Sequence, residues 1–165
     1  MTHRPKFLFL DFDGVLHPVS ALDGFAMRMA QDAAISYGRL FRWTWVLEES
    51  LEGADVNIVV HSSWRRFLGT AQLLQYLGPL ANRYCGIANL EMSRWQGIRH
   101  AASQLELADD EWVVLDDHAS QFPDPPPRQL VLCNPESGIW EPRVRERVRA
   151  WAVGKQPELE CKDDE

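Results

Sequence analysis

At 165 residues, with 45% hydrophobic residues and seven tryptophans, the chain is long and apolar enough to bury a real core, which excludes a disordered composition. Its net charge is −7, from 17 basic and 24 acidic residues; residues 158–165 hold five of those acids and one lysine, leaving −3 for the body. So mild a charge excludes broad, charge-driven binding to nucleic acid or anionic membrane, while leaving room for a phosphorylated end held in a local basic pocket.

Five short apolar runs read as strands, at residues 6–12, 56–61, 83–87, 112–115 and 129–132. Several are continuous rather than alternating, as expected of strands buried on both faces of a parallel sheet. Residues 14–39, after the first run, read as irregular. Residues 40–51 have apolar positions at helical spacing and stop before Gly53. A second helical stretch, 64–77, carries a break at Gly69. Ser93 can cap a helix running to about Leu107. Residues 122–128 hold four prolines and must form a loop. Pro142 suits the first turn of a last helix through Val144, Val148 and Trp151. Strands alternating with helices predict a three-layer, doubly wound, Rossmann-like α/β fold with a mostly parallel five-stranded sheet. The expected organisation is one domain over 1–154 and an acidic flexible tail over 155–165. Cys85, Cys133 and Cys161 form no C-x-x-C pair, and no signal-peptide pattern is present, so a cytoplasmic setting is expected. The apolar run at 7–10 is far too short to span a membrane.

Four features fall where strands end or the next helices begin, the edge at which open α/β sheets bind ligands. Asp11-Phe12-Asp13-Gly14 follows the first strand. Two carboxylates at i and i+2 can both reach one site, one to bind metal and attack phosphorus, the other to handle a leaving-group proton; Gly14 permits a sharp turn. Ser62 follows the second strand, where a hydroxyl can bond a phosphate oxygen or cap the chain locally. Arg94 opens the helix after the third strand, 22 residues before Asp116. Asp116-Asp117 close the fourth strand, and adjacent acids there need a partner such as a hard cation. Each feature alone also reads as a turn, a cap or a solvated side chain. Their joint order and placement are what point to a site.

The segment from Leu8 to Pro18 resembles motif I of the haloacid dehalogenase (HAD) superfamily, Ser62 resembles motif II and Asp116-Asp117 resemble motif IV. With HSSW, SRWQGI and WVVLDD, the wording also resembles a bacterial branch of HAD domains associated with RNA-repair proteins. The resemblance implies that Asp11 attacks phosphorus and becomes an aspartyl phosphate, while Asp13 protonates the leaving oxygen and then activates water. It implies that Asp11, the Asp13 carbonyl, Asp116 and Asp117 hold Mg²⁺, and that Ser62 and Arg94 hold the phosphoryl oxygens. The family's motif III is usually Lys, and this chain has none between Lys6 and Lys155. Arg94 is the substitute by spacing, with Arg65, Arg66 and Arg99 as rivals. About forty residues separate the first two motifs, too few for a large cap; the site is expected to be open and to suit a nucleic-acid end or another large phosphorylated partner. No membrane partner is expected.

One rival is another activity on this scaffold, such as phosphoryl transfer between substrates; another is a non-catalytic phosphate- or metal-binding regulatory module, argued against by the retention of both Asp11 and Asp13 and left open by the missing motif III Lys. A receiver domain would need a late lysine, and a P-loop would need G-x-x-x-x-G-K-[ST]; neither is present. His17 reads as a loop histidine without a ligand. His61 and His118 lack the paired spacing of a zinc site. Trp64 and Trp95 read as core or rim packing ahead of base stacking.

Overall fold

A computed structural model describes residues 3–155. Five strands form one sheet: β1 (Lys6–Leu10), β2 (Val56–Val60), β3 (Tyr84–Ile87), β4 (Trp112–Asp116) and β5 (Leu130–Leu132). Their order is β3-β2-β1-β4-β5 and every pairing is parallel, so the expected mostly parallel sheet is wholly parallel. Leu8 and Leu10 join one apolar layer while Phe9 joins the other, all fully buried. This is why β1 reads as an unbroken apolar run.

Among the described residues, six α-helices complete the fold: α1 (Asp23–Ala26), α2 (Gln31–Gly38), α3 (Thr44–Ser50), α4 (Thr70–Leu77), α5 (Arg94–Gln104) and α6 (Pro142–Ala152). Helices α3, α4 and α6 cover one face through Val46, Leu47, Leu73, Leu77, Val144 and Val148. The other face is covered by Ile98 and Ala102 of α5 and by Phe122 from the proline-rich loop, in which the Asp124–Pro125 bond is cis. None of these helices is long and apolar enough to cross a membrane.

Most element expectations hold, with corrections at the boundaries. The helix expected over 40–51 starts only at Thr44, because Arg39 and Phe41 adopt left-handed backbone at φ +50° and +62°. The stretch 64–77 divides into a 3₁₀ turn, Ser63–Arg66, and α4, with Gly69 between them at the N-cap. Helix α5 ends at Gln104 rather than Leu107, ahead of Glu106 at φ +53°. The segment expected to be irregular, 14–39, contains α1, α2 and a 3₁₀ turn at Val19–Leu22. The predicted tail, Lys155 apart, and Cys161 lie outside the described residues.

Strand order places the site. From β1 the chain proceeds outward to β2 and β3, then crosses back to β4 beside β1. This puts the topological switch point, where open α/β sheets bind ligands, at the carboxyl ends of β1 and β4. Leu10 pairs with both Val60 and Leu115, and the ladder runs one step on: the Asp11 N–H donates to the Leu115 carbonyl at 3.1 Å and the His61 N–H to the Leu10 carbonyl at 3.0 Å. Asp11, His61 and Asp116 therefore stand in one row.

Candidate active site

Asp11 leaves β1 with its side chain buried and its Oδ1 accepting the Phe12 N–H at 2.9 Å. The chain then folds back. Gly14 lies at φ +73° and its N–H donates to the His17 carbonyl at 2.9 Å. A Cβ at Gly14 would stand 2.2 Å from Oδ2 of Asp117, so both the backbone angle and this close approach require glycine.

Asp116 is fully buried at the end of β4. Its Oδ2 accepts His61 Nε2 at 2.8 Å and its Oδ1 accepts the His118 backbone N–H at 2.8 Å. Arg94, the first residue of α5, donates from Nη1 to both Asp116 oxygens at 2.9 and 2.8 Å and to Asp11 Oδ2 at 3.4 Å. One guanidinium thus bridges two buried carboxylates.

The electrostatics follow from this crowding. Burial, with the charge of Asp116, pushes the Asp11 carboxyl well above its ordinary range, and Arg94 pulls the other way. Burial alone would also raise Asp116, but the His61 hydrogen bond, the Arg94 charge and the His118 N–H outweigh it and hold Asp116 low. Burial raises Asp117 and lowers His61. His61 is therefore the neutral ring that donates Nε2–H to an ionised Asp116, and its buried Nδ1 has no hydrogen-bond partner.

Ligand atoms of Asp11, Asp116, Asp117 and His118 all lie within 4.8 Å of one another. Oδ1 of Asp117 is buried and accepts no hydrogen bond, although the His118 Nδ1 stands 3.3 Å away. Three carboxyl groups crowd together here, and Arg94 contacts only Asp11 and Asp116. A donor set of carboxylate oxygens with an unpartnered buried oxygen fits a hard divalent cation. The Asp13 side chain is not in this cluster. It is turned toward His17 and Trp64, whose Nε2 and Nε1 each approach Oδ1 at 2.8 Å.

A family model described as "HAD domain in Swiss Army Knife RNA repair proteins" matches residues 7–144. The chain belongs to this family. No curated protein and no solved structure matches it.

Within this HAD domain the structure brings Asp11, Arg94, Asp116 and Asp117 together. Ser62 is fully buried at the end of β2, where its Oγ accepts the Trp64 N–H at 3.3 Å and so caps the 3₁₀ turn. It makes no hydrogen bond to the acidic cluster among the described residues. The arginine rivals are placed elsewhere. Arg65 is buried and donates to the carbonyls of His61, Ser62, Ala88 and Asn89, tying the end of β2 to that of β3. Arg66 is exposed, and Arg99 lines a separate cleft beside Trp95 and Trp112. Three contacts were not legible in the sequence: His61 on Asp116, and His17 and Trp64 on Asp13. His17, expected as a loop residue without a partner, is fully buried and bonded to Asp13. Trp64 packs in the core as expected, and its indole N–H also reaches the site.

Proposed function

We propose that this HAD domain is a Mg²⁺-dependent phosphohydrolase with Asp11 as nucleophile. The observation that carries this reading is the bridge: a buried carboxylate at the carboxyl end of the central strand, held beside Asp116 by the guanidinium of Arg94. A Asp11 oxygen forms a bond to phosphorus as the bond to the leaving oxygen breaks, and Asp13 supplies that oxygen's proton. Water then attacks the aspartyl phosphate, giving its proton to Asp13, and Asp11 is released. Ser62 and the remaining Arg94 N–H groups hold the phosphoryl oxygens. Asp11, the Asp13 carbonyl, Asp116 and Asp117 would hold Mg²⁺, which when bound supplies charge neutralisation at those oxygens. Asp11 must be ionised to attack, which its burial opposes; the charge of Arg94 offsets part of that opposition.

Residues 19–38 supply only a 3₁₀ turn and two short helices between the motifs, and this small flap suits a large substrate. Together with the RNA-repair context in the family's description, it supports the phosphorylated end of a nucleic acid as the substrate class. Phosphate release from 5′- and 3′-phosphorylated oligonucleotides, with sugar phosphates alongside, tests this. Turnover of the oligonucleotide ends with Mg²⁺ and its loss on chelation are expected. Efficient turnover of sugar phosphates with none of polymer ends would sink the substrate assignment.

His61 gives a separate prediction. Its neutral Nε2–H orients Asp116 from outside the cluster, and partners of this kind typically contribute 10–100-fold to metal affinity. His61→Leu should weaken Mg²⁺ binding by about tenfold, read by calorimetric titration. Unchanged affinity in a folded variant would show that Asp116 is oriented without it.

A further inference from the structure

We propose that His17 and Trp64 are positioning residues for Asp13, fixing Oδ1 so that Oδ2 alone transfers the proton. The proposal rests on the reading of Asp13 as acid and base. His17, four residues on, and Trp64, 51 residues on, converge on this one carboxylate, and Phe41 fixes His17 from behind. The backbone N–H of Phe41 donates to His17 Nδ1 at 3.1 Å, so that nitrogen carries a lone pair. In a neutral ring the proton is then on Nε2, which donates to Asp13 Oδ1 at 2.8 Å. The indole N–H of Trp64 can only donate, and it reaches the same Oδ1 at 2.8 Å.

Neither donor is free to wander. His17 is fully buried and Trp64 is 3% exposed. The Phe41 ring lies edge-on to both, at 5.2 and 5.3 Å between centroids, and is itself stacked on Tyr76 at 5.2 Å. Asp13 is held on one oxygen by two rigid rings, while its side chain keeps 25% of its exposure. Among the described residues Oδ2 accepts no hydrogen bond. Since Oδ1 already accepts two, the acid form carries its proton on Oδ2. That proton passes to the leaving oxygen as its bond to phosphorus breaks, and the same Oδ2 takes a proton from the attacking water in the second step. An acid held to one orientation loses no time in unproductive rotamers, which is the advantage of a supported first contact.

The experiment is kcat/KM with Mg²⁺ for aryl phosphates ranging from acidic nitrophenol esters to plain phenyl phosphate. An acid matters most when the leaving oxygen is basic, so damage to proton transfer steepens the dependence on the leaving group, whereas damage to folding or binding lowers all substrates alike. Asp13→Asn should give the steepest dependence. Trp64→Phe keeps most of the ring and removes the N–H; it should lose about tenfold more on phenyl phosphate than on the nitrophenyl ester. His17→Phe should do the same, and His17→Gln, which restores an N–H donor, should recover most of that loss. If His17→Phe fails to fold, Trp64→Phe decides. A steep Asp13→Asn with a parallel Trp64→Phe would overturn the positioning role and leave the acid role standing. A flat Asp13→Asn would overturn the acid role and this proposal with it.

Discussion

Asp11→Asn is expected to abolish phosphatase turnover and, at the same time, to raise the melting temperature of the metal-free protein. The loss should be at least about 10³-fold, because an amide cannot form the covalent phosphoryl bond. The gain in stability comes from the crowding of charge. Asp11 is 3% exposed and sits beside Asp116, and its burial and that neighbour both oppose its ionisation. Removing one buried charge does not strand Arg94, whose shorter contacts, 2.9 and 2.8 Å, are with Asp116. A gain of about 1 kcal/mol corresponds to a rise of about 2–4 °C for a chain of this size. The pH dependence has a definite sign. Asp11 titrates in the folded state above its unfolded value, so the stability linked to its protonated form is present at low pH and lost as pH rises through the folded pKa. The advantage of Asn over Asp should therefore vanish below the ordinary carboxylate range and be largest near neutrality. Mg²⁺ should reverse the order, since the parent gains RT ln(1 + [Mg²⁺]/Kd) and the variant, short of one ligand, gains less. Turnover surviving Asp11→Asn would sink the nucleophile. A lower melting point in the metal-free variant would mean that the pairing with Arg94 outweighs the repulsion.

The contrast between Asp11 and its supports shows what a sequence of this kind makes legible. The five apolar runs were readable because β1, β2 and β4 are buried on both faces, leaving no polar alternation to confuse them. Strand ends were less so: the stretch read as a strand extends through Asp11 to Phe12, yet β1 stops at Leu10, level with Val60 and Leu115 of its neighbours. Helix α2 escaped because only Ala34 and Gly38 of its eight residues are buried, too few to set a periodic stripe. In the site, the carboxylates declare themselves in local pairs, Asp11 with Asp13 and Asp116 with Asp117. Their partners do not. His61 meets Asp116 across 55 positions, and only the register of β2, β1 and β4 brings the two into one row. His17 lies four residues from Asp13, but its tautomer depends on Phe41, whose left-handed backbone has no sequence signature. Arg94 was found by spacing alone, and the structure adds what spacing lacked: two carboxylates in contact with it.

Arg94→Ala is expected to lower kcat/KM by about 10²–10³-fold, the usual consequence of removing a donor aimed at developing charge. A cation at the first position of α5 faces the positive end of the helix dipole, at a cost of about 0.3–1 kcal/mol. The contacts with Asp11 and Asp116 offset that cost, and they employ Nη1 alone. Nε and Nη2 make no hydrogen bond among the described residues, which under the proposed reading leaves them for the phosphoryl oxygens. Alanine would remove this fork and leave Asp11 and Asp116 without their cation; removing one partner of a buried pair can cost about 3–5 kcal/mol, so the metal-free variant should melt lower and recover part of the loss with Mg²⁺. Arg94→Lys keeps a charge near both carboxylates but offers a single ammonium in place of the fork, and should fall between alanine and the parent. Arg65→Ala is the discriminating control. Its donors all go to carbonyls at the ends of β2 and β3, so its loss should reduce stability without a selective loss of turnover in the protein that remains folded. The opposite pattern, with Arg65→Ala inactive at an unchanged melting temperature and Arg94→Ala active, would move the phosphate-binding cation from α5 to the turn after β2.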